Sequence, residues 1–90
     1  MSLDPGESRT VEVTLQLHPH LSRYRPRVPV SELSRLAVPT GSTVAYLLTD
    51  VCGLPARLQL FVALNGRHAH RSTVLEDGDR VRVFMQLSGG

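Results

Sequence analysis

Apolar and polar residues alternate most cleanly in two runs near opposite ends of the chain. In "VEVTLQL", Val11, Val13, Leu15 and Leu17 fall on one side and Glu12, Thr14 and Gln16 on the other. That is the period of a strand with one face buried. The run "RVRVFMQL" does the same, with Val81, Val83, Met85 and Leu87 inward and Arg80, Arg82, Phe84 and Gln86 outward. Between them the period changes. "PTGSTVAYLLTDVCGLP" spaces Val44, Leu47, Leu48 and Val51 at i, i+3, i+4 and i+7, which predicts an amphipathic helix of about three turns. Ser42 or Thr43 can cap its first N–H groups, Gly53 can take the left-handed position after its last turn, and Pro55 stops it. Tyr46 and Asp50 fall outside the stripe and Cys52 near its edge.

The remaining stretches supply connections and shorter strands. "HPHLSRYRPRVPV" is punctuated by Pro19, Pro26 and Pro29 and predicts a loop, because each proline removes a ladder donor. A short strand is expected around Leu36–Val38, entered through "SELSR". "LQLFVALNGRHAH" predicts strand, Asn65-Gly66 turn and returning strand, and "LEDGD" a second turn at Gly78. The order strand, strand, helix, hairpin, strand defines an α+β domain: a mixed sheet of four to five strands with one main helix across one face. Residues 1–10 are expected to be a flexible lead-in, 11–86 the domain, and 87–90 a flexible tail.

Composition narrows the function classes. Ninety residues make one small domain with one core. With 41% hydrophobic and 20% charged residues the chain is of ordinary globular type. No apolar run approaches a membrane span and the N-terminus lacks the regions of a secretion signal, so no membrane partner and a cytoplasmic location are expected. The single cysteine, Cys52, has no internal partner. The net charge is +2 and all ten basic residues are Arg; Lys and Ile are absent and Asn65 is the one asparagine. That joint depletion reads as compositional bias. The basic cluster "RYRPR", Arg23, Arg25 and Arg27 around Tyr24, has the residue types that stack on and pair with RNA. A solvated loop is the reading adopted, and no nucleic-acid partner is expected.

Candidate chemistry is sparse inside the domain. The pairs His18/His20 and His68/His70 have strand spacing that puts each pair on one side, but no third ligand is evident and no metal site is assigned. Asp77 and Asp79 are accounted for by their turn, and Ser, His and Asp occur without a catalytic motif. The chain ends in Leu87, Ser88, Gly89, Gly90, a terminus with no side chain beyond Ser88 to obstruct it.

Taken together, "FVALNGR" and "VLEDGDRVRVFMQLSGG" resemble the C-terminal half of the ubiquitin-like sulfur carriers, the MoaD/ThiS family, and "VPTGSTVAYLL" resembles the start of that family's helix. Leu75, Asp77, Gly78, Asp79, Gly89 and Gly90 stand at the matching positions, and the likeness covers roughly residues 11–90. The resemblance implies a β-grasp fold. The long connection between the first two strands places the chain nearer the molybdopterin synthase small subunit than the thiamine carrier.

The resemblance also implies a role without catalysis by this chain. The Gly90 carboxylate, ionised at neutral pH, would be adenylated by a partner and converted to a thiocarboxylate that donates sulfur, for molybdopterin first, thiamine or another product next. Leu87, Ser88, Gly89 and Gly90 would enter the partner's active site, where absent Cβ atoms admit the tail to a narrow channel. The chain lacks a phosphate-cradling loop, so no cofactor is expected on it, and ATP would be used by a ubiquitin-activating-type adenylyltransferase. A sulfurtransferase or cysteine desulfurase and an acceptor such as the molybdopterin synthase large subunit complete the expected partners. Arg80, Arg82, Phe84 and Gln86 would form the docking surface; Phe84 can equally belong to a small cluster under the loop of residues 18–30. Two alternatives stay open: a modifier joined through Gly90 to lysines of other proteins, and an interaction module with no tail chemistry.

Overall fold

The two alternating runs become neighbouring strands inside one sheet. A computed structural model describes residues 9–85. Its strands are β1 (Thr10–Leu17), β2 (Leu33–Pro39), β3 (Leu60–Leu64), β4 (Arg67–Ala69) and β5 (Arg80–Met85), in the order β2-β1-β5-β3-β4. β1 and β5 are parallel; β2 lies antiparallel on β1, and β3 antiparallel to both β4 and β5. The inward residues expected from alternation, Val13, Leu15, Leu17, Val81 and Val83, are buried, and Val11 and Met85 half-buried. With Val38, Val62, Leu75 and the helix they form one core on a single side of the sheet.

The helix differs from its prediction in pitch. It opens as α1 (Val44–Tyr46) and continues as a π-helical turn, Leu47–Val51. The Cys52 N–H reaches back five residues to the Leu47 carbonyl, and the Leu54 N–H six residues to that of Leu48, both at 3.0 Å. A wider turn shifts the buried stripe by one position. Val51, expected in the stripe, is therefore half-buried, while Cys52, expected at its edge, is sealed beside Leu47 and Leu48. The start is capped as expected, the Thr43 hydroxyl accepting the Tyr46 N–H at 3.2 Å. Two further first-turn donors, the N–H groups of Val44 and Ala45, bond the carbonyls of Thr73 and Arg71 at 2.9 Å. Gly53 takes φ 77° after the last turn, a value glycine adopts without Cβ strain.

Two connections are more ordered than the sequence suggests. The stretch after β1 was predicted as a plain loop, yet Pro19–Tyr24 form a 3-10 helix whose Leu21 is completely buried. Leu21 anchors the segment, and Tyr24, Val28 and Val30 pack half-buried against the same core. Arg27 then ties it to the end of the helix: its N–H bonds the Cys52 carbonyl and its Nη1 the Asp50 carbonyl, each at 2.8 Å. A cation suits the carbonyl end of a helix. Arg23 lies over the Tyr24 ring, 5.8 Å from its centre. β2 begins at Leu33 and so absorbs most of "SELSR", which was expected only to lead into it.

The two glycine turns form one polar joint. Asn65 and Gly66 have φ of 53° and 84°, the paired positive angles of the two-residue hairpin turn. Asn65 Nδ2 donates to Asp79 Oδ1 at 2.9 Å, and the Arg80 N–H donates to Asn65 Oδ1 at 2.9 Å. Asp79 Oδ2 accepts the Glu76 N–H at 2.7 Å. The second turn then docks on β1: Asp77 Oδ1 accepts the Glu12 N–H at 2.8 Å, the Gly78 N–H bonds the Glu12 carbonyl at 2.7 Å, and the Thr14 N–H bonds the Asp79 carbonyl at 3.0 Å.

Asp79→Ala leaves two part-buried donors, the Asn65 amide and the Glu76 N–H, without their carboxylate partner and is expected to cost about 1–3 kcal/mol in urea unfolding, with Asp77→Ala, whose bond is exposed, costing less. Burial also pushes the Cys52 thiol up from 9.0 to about 11. The folded chain therefore keeps a proton that the unfolded chain loses first, so this contribution is complete below about pH 9 and is lost as pH rises toward about 11. Unfolding free energies from urea melts should fall over that window more steeply than in Cys52→Ala, by up to about 2–3 kcal/mol. A disulfide reagent should react with Cys52 only on unfolding.

Candidate functional site

The strand pairing decides which side chains share the face opposite the helix. On β1 that face carries Glu12, Thr14 and Gln16, which lie beside Ala37, Arg35 and Leu33 of β2. Thr14 and Gln16 also lie beside Arg80 and Arg82 of β5. Phe84 is directly opposite Phe61 of β3, and Arg82 opposite Ala63, which in turn pairs with His68 of β4. Three arginines and one glutamate are thus spread over a face that no other described element covers.

Of the expected docking residues, Arg80 and Arg82 are exposed there and Phe84 is half-buried. Phe84 neither stands free nor sits under the loop alone. Its ring is 6.0 Å from that of His18 and 6.3 Å, edge-on, from that of Phe61, and the Arg82 guanidinium lies over it at 5.4 Å. Phe61, 42% exposed, stacks on His68 at 4.7 Å with planes 17° apart. His18 meets His20 at 4.7 Å, and His68 meets His70 at 5.5 Å. A continuous row of six rings, His20, His18, Phe84, Phe61, His68, His70, therefore crosses the sheet. Sequence reading singled out Phe84 and the histidine pairs separately and missed Phe61. Its signal was present: in "LFVAL", Val62 is buried between Phe61 and Ala63, so those two face outward.

At the His18 end a cavity of about 260 Å³ opens between β1, β5 and the β1–β2 connection. Its polar wall is Gln16, His18, Ser31 and Arg82, its apolar wall includes Leu17 and Phe84, and among the described residues no acidic side chain lines it. Ser31 sits in the left-handed region, φ 67°, held by its N–H on the Leu17 carbonyl at 2.8 Å. Strain of this kind persists where surrounding bonds enforce it. A second hollow, lined by His18, His20, Phe84 and Met85, adjoins the point where β5 ends.

His18 is poorly set to hold a metal through Nε2. His18 Nδ1 accepts the His20 N–H at 3.2 Å, whereas a ring bound to metal through Nε2 carries its proton on Nδ1 and donates from it. Among the described residues no group of three or more His, Cys, Asp or Glu side chains gathers. No described helix is long and apolar enough to cross a membrane. Of the other expected site residues, Gln86, Leu87, Ser88, Gly89 and Gly90 lie outside the described residues.

Comparison with known proteins agrees with this architecture. The sequence profile of the ThiS family matches residues 25–90. No curated protein matches the sequence significantly. Among solved structures, the HVO 2177 protein of Haloferax volcanii aligns over 91% of this chain and 89% of its own at 26% identity, TM-score 0.68. A putative molybdopterin converting factor, subunit 1, from Pyrococcus furiosus aligns over 86% and 99% at 20% identity, TM-score 0.65. SAMP1 from Haloferax volcanii aligns over 88% and 99% at 23% identity, TM-score 0.63. The last two, at such identity, speak to the fold, which is the ubiquitin-like β-grasp. With the profile running from the "RYRPR" loop through helix, hairpin and last strand, this chain belongs to the ThiS family.

Proposed function

We propose that this chain is a sulfur carrier. The Gly90 carboxylate attacks the α-phosphorus of ATP held by a ubiquitin-activating-type adenylyltransferase, and pyrophosphate leaves. A persulfide sulfur, from a sulfurtransferase or cysteine desulfurase, then displaces AMP from the acyl-adenylate. A second thiol cleaves the acyl disulfide and leaves a thiocarboxylate on Gly90. The partner enzymes perform the catalysis; Arg80, Arg82, Phe84 and Gln86 hold the chain on them while Leu87, Ser88, Gly89 and Gly90 enter the active site.

The observation that carries this reading is the extent of the family match, which continues through Gly89 and Gly90 instead of stopping with the sheet. The domain itself supplies a rigid handle: β5 is paired on both sides, so the segment after Met85 is carried by an interior strand. Molybdopterin precursor is the first acceptor to test, on the strength of the long β1–β2 connection with its buried Leu21, and a thiamine intermediate the next. A protein modifier joined through Gly90 is the second reading; a structural relative, SAMP1, is a small archaeal modifier protein by name.

Intact-mass measurement after incubation with an adenylyltransferase, ATP and a persulfide donor separates the readings. Exchange of one oxygen for sulfur is expected. Adducts on other proteins would favour the modifier, and an unchanged mass would remove both. Deleting Gly90 should abolish the exchange, and Gly89→Val should slow it about a hundredfold by misplacing the carboxylate, with the thermal melt of the domain unchanged.

A further inference from the structure

We infer that the cavity at the His18 end of the sheet is a binding site for a small organic carboxylate with a flat apolar body, a free molecule of the size of benzoate. The inference goes beyond the carrier reading and does not rest on it, because this chain alone supplies the site.

Unpaired donors are the first argument. Gln16, His18, Ser31 and Arg82 line one side of the space. Among the described residues the side chains of Gln16, Ser31 and Arg82 have no hydrogen-bond partner, and no carboxylate in the lining balances the arginine. His18 adds a fourth donor: its Nδ1 accepts the His20 N–H at 3.2 Å, which leaves the ring proton on Nε2. A set of donors that includes one planar cation selects an oxyanion over a neutral or basic group.

The apolar half of the lining chooses among oxyanions. Leu17, Pro19, Val83 and Phe84 complete the wall. Inorganic phosphate would leave that half against water, whereas a carboxylate carried on an apolar ring covers it as well. The Arg82 guanidinium lies over the Phe84 ring at 5.4 Å, so the cation stands where the two halves meet. At about 260 Å³ the cavity is smaller than the usual pocket for a drug-sized ligand, about 300–1,000 Å³, which limits the body to a single ring.

Rigidity is the third argument, since backbone bonds set these walls in advance. The His18 N–H is on the Val83 carbonyl and the Ser31 N–H on the Leu17 carbonyl, each at 2.8 Å, and Leu17 is bridged to Val30. Ser31 is thereby kept at φ 67°, a region that serine occupies at a cost and that surrounding bonds must enforce. A preformed site loses little conformational freedom when it fills.

The test titrates the isotope-labelled full chain with sodium benzoate at fixed ionic strength, without enzyme or ATP. Amide shifts should saturate, with half-saturation at about 1 mM or below, and concentrate at Leu17, His18, Ser31, Arg82 and Phe84. Benzamide keeps the ring and loses the charge; inorganic phosphate keeps the charge and loses the ring. Each should bind at least about tenfold more weakly than benzoate. Arg82→Gln should raise the Kd for benzoate about tenfold or more. Ser31→Gly removes the hydroxyl and suits the backbone angle, and should raise it about threefold. Arg35→Gln changes an exposed arginine of the same face outside the cavity and should leave it within about twofold. Melting curves confirm that each variant folds. Shifts that do not saturate or that gather elsewhere, equal binding of benzamide or of phosphate, or an unchanged Kd in Arg82→Gln or Ser31→Gly overturn the site. Sulfur transfer to Gly90 is a separate measurement, and its failure removes the carrier reading while this site stands.

Discussion

β5 has to lie parallel to β1 in the interior of the sheet, and everything else about this molecule's surface depends on how that pair is clamped. Parallel strands have no tight turn to set their register. Here the clamp is at both ends. The Asp-Gly-Asp turn bonds the start of the pair through Glu12 and Thr14, and the His18 N–H closes the other end on the Val83 carbonyl at 2.8 Å. Asn65 joins the hairpin turn to the Asp79 carboxylate while the Asp79 carbonyl holds Thr14, so three strands are tied through Asp79. The glycine turns are thereby a single joint.

The clamp has consequences on the far side of the sheet. Because Thr14 is held opposite Arg80, Gln16 is opposite Arg82 and Phe84 falls next to His18. The antiparallel register with β3 then brings Phe61 to Phe84, and the hairpin brings His68 over Phe61. A slip of one residue would send the arginines inward and the valines outward. Core and outer face are therefore fixed by the same hydrogen bonds.

Much of this was legible in the chain. Alternation identified β1 and β5 and their buried sides, and Asn-Gly located the hairpin, because both signals are local. Pitch is not local: Val44, Leu47, Leu48 and Val51 satisfy a helical period, but whether the turn after Tyr46 tightens or widens depends on what Cys52 and Leu54 pack against. The connection after β1 looked open because prolines dominate it, while the buried Leu21, the half-buried Tyr24, Val28 and Val30, and the bonds from Arg27 fold it down. The aromatic row needed inter-strand register, which no single stretch encodes. Phe84 alone could be read either as anchor or as cluster member, and it is the pairing with Phe61 that gives it a place in the row.

Cys52 leads to a last consequence. It is the chain's sole sulfhydryl and lies wholly inside the core, and the chain has no lysine at all. The exterior consequently presents neither a thiolate nor a side-chain amine. An electrophile formed anywhere on this protein meets a scaffold stripped of the two side chains best able to capture it, so that its fate is left to whatever molecule is brought to it.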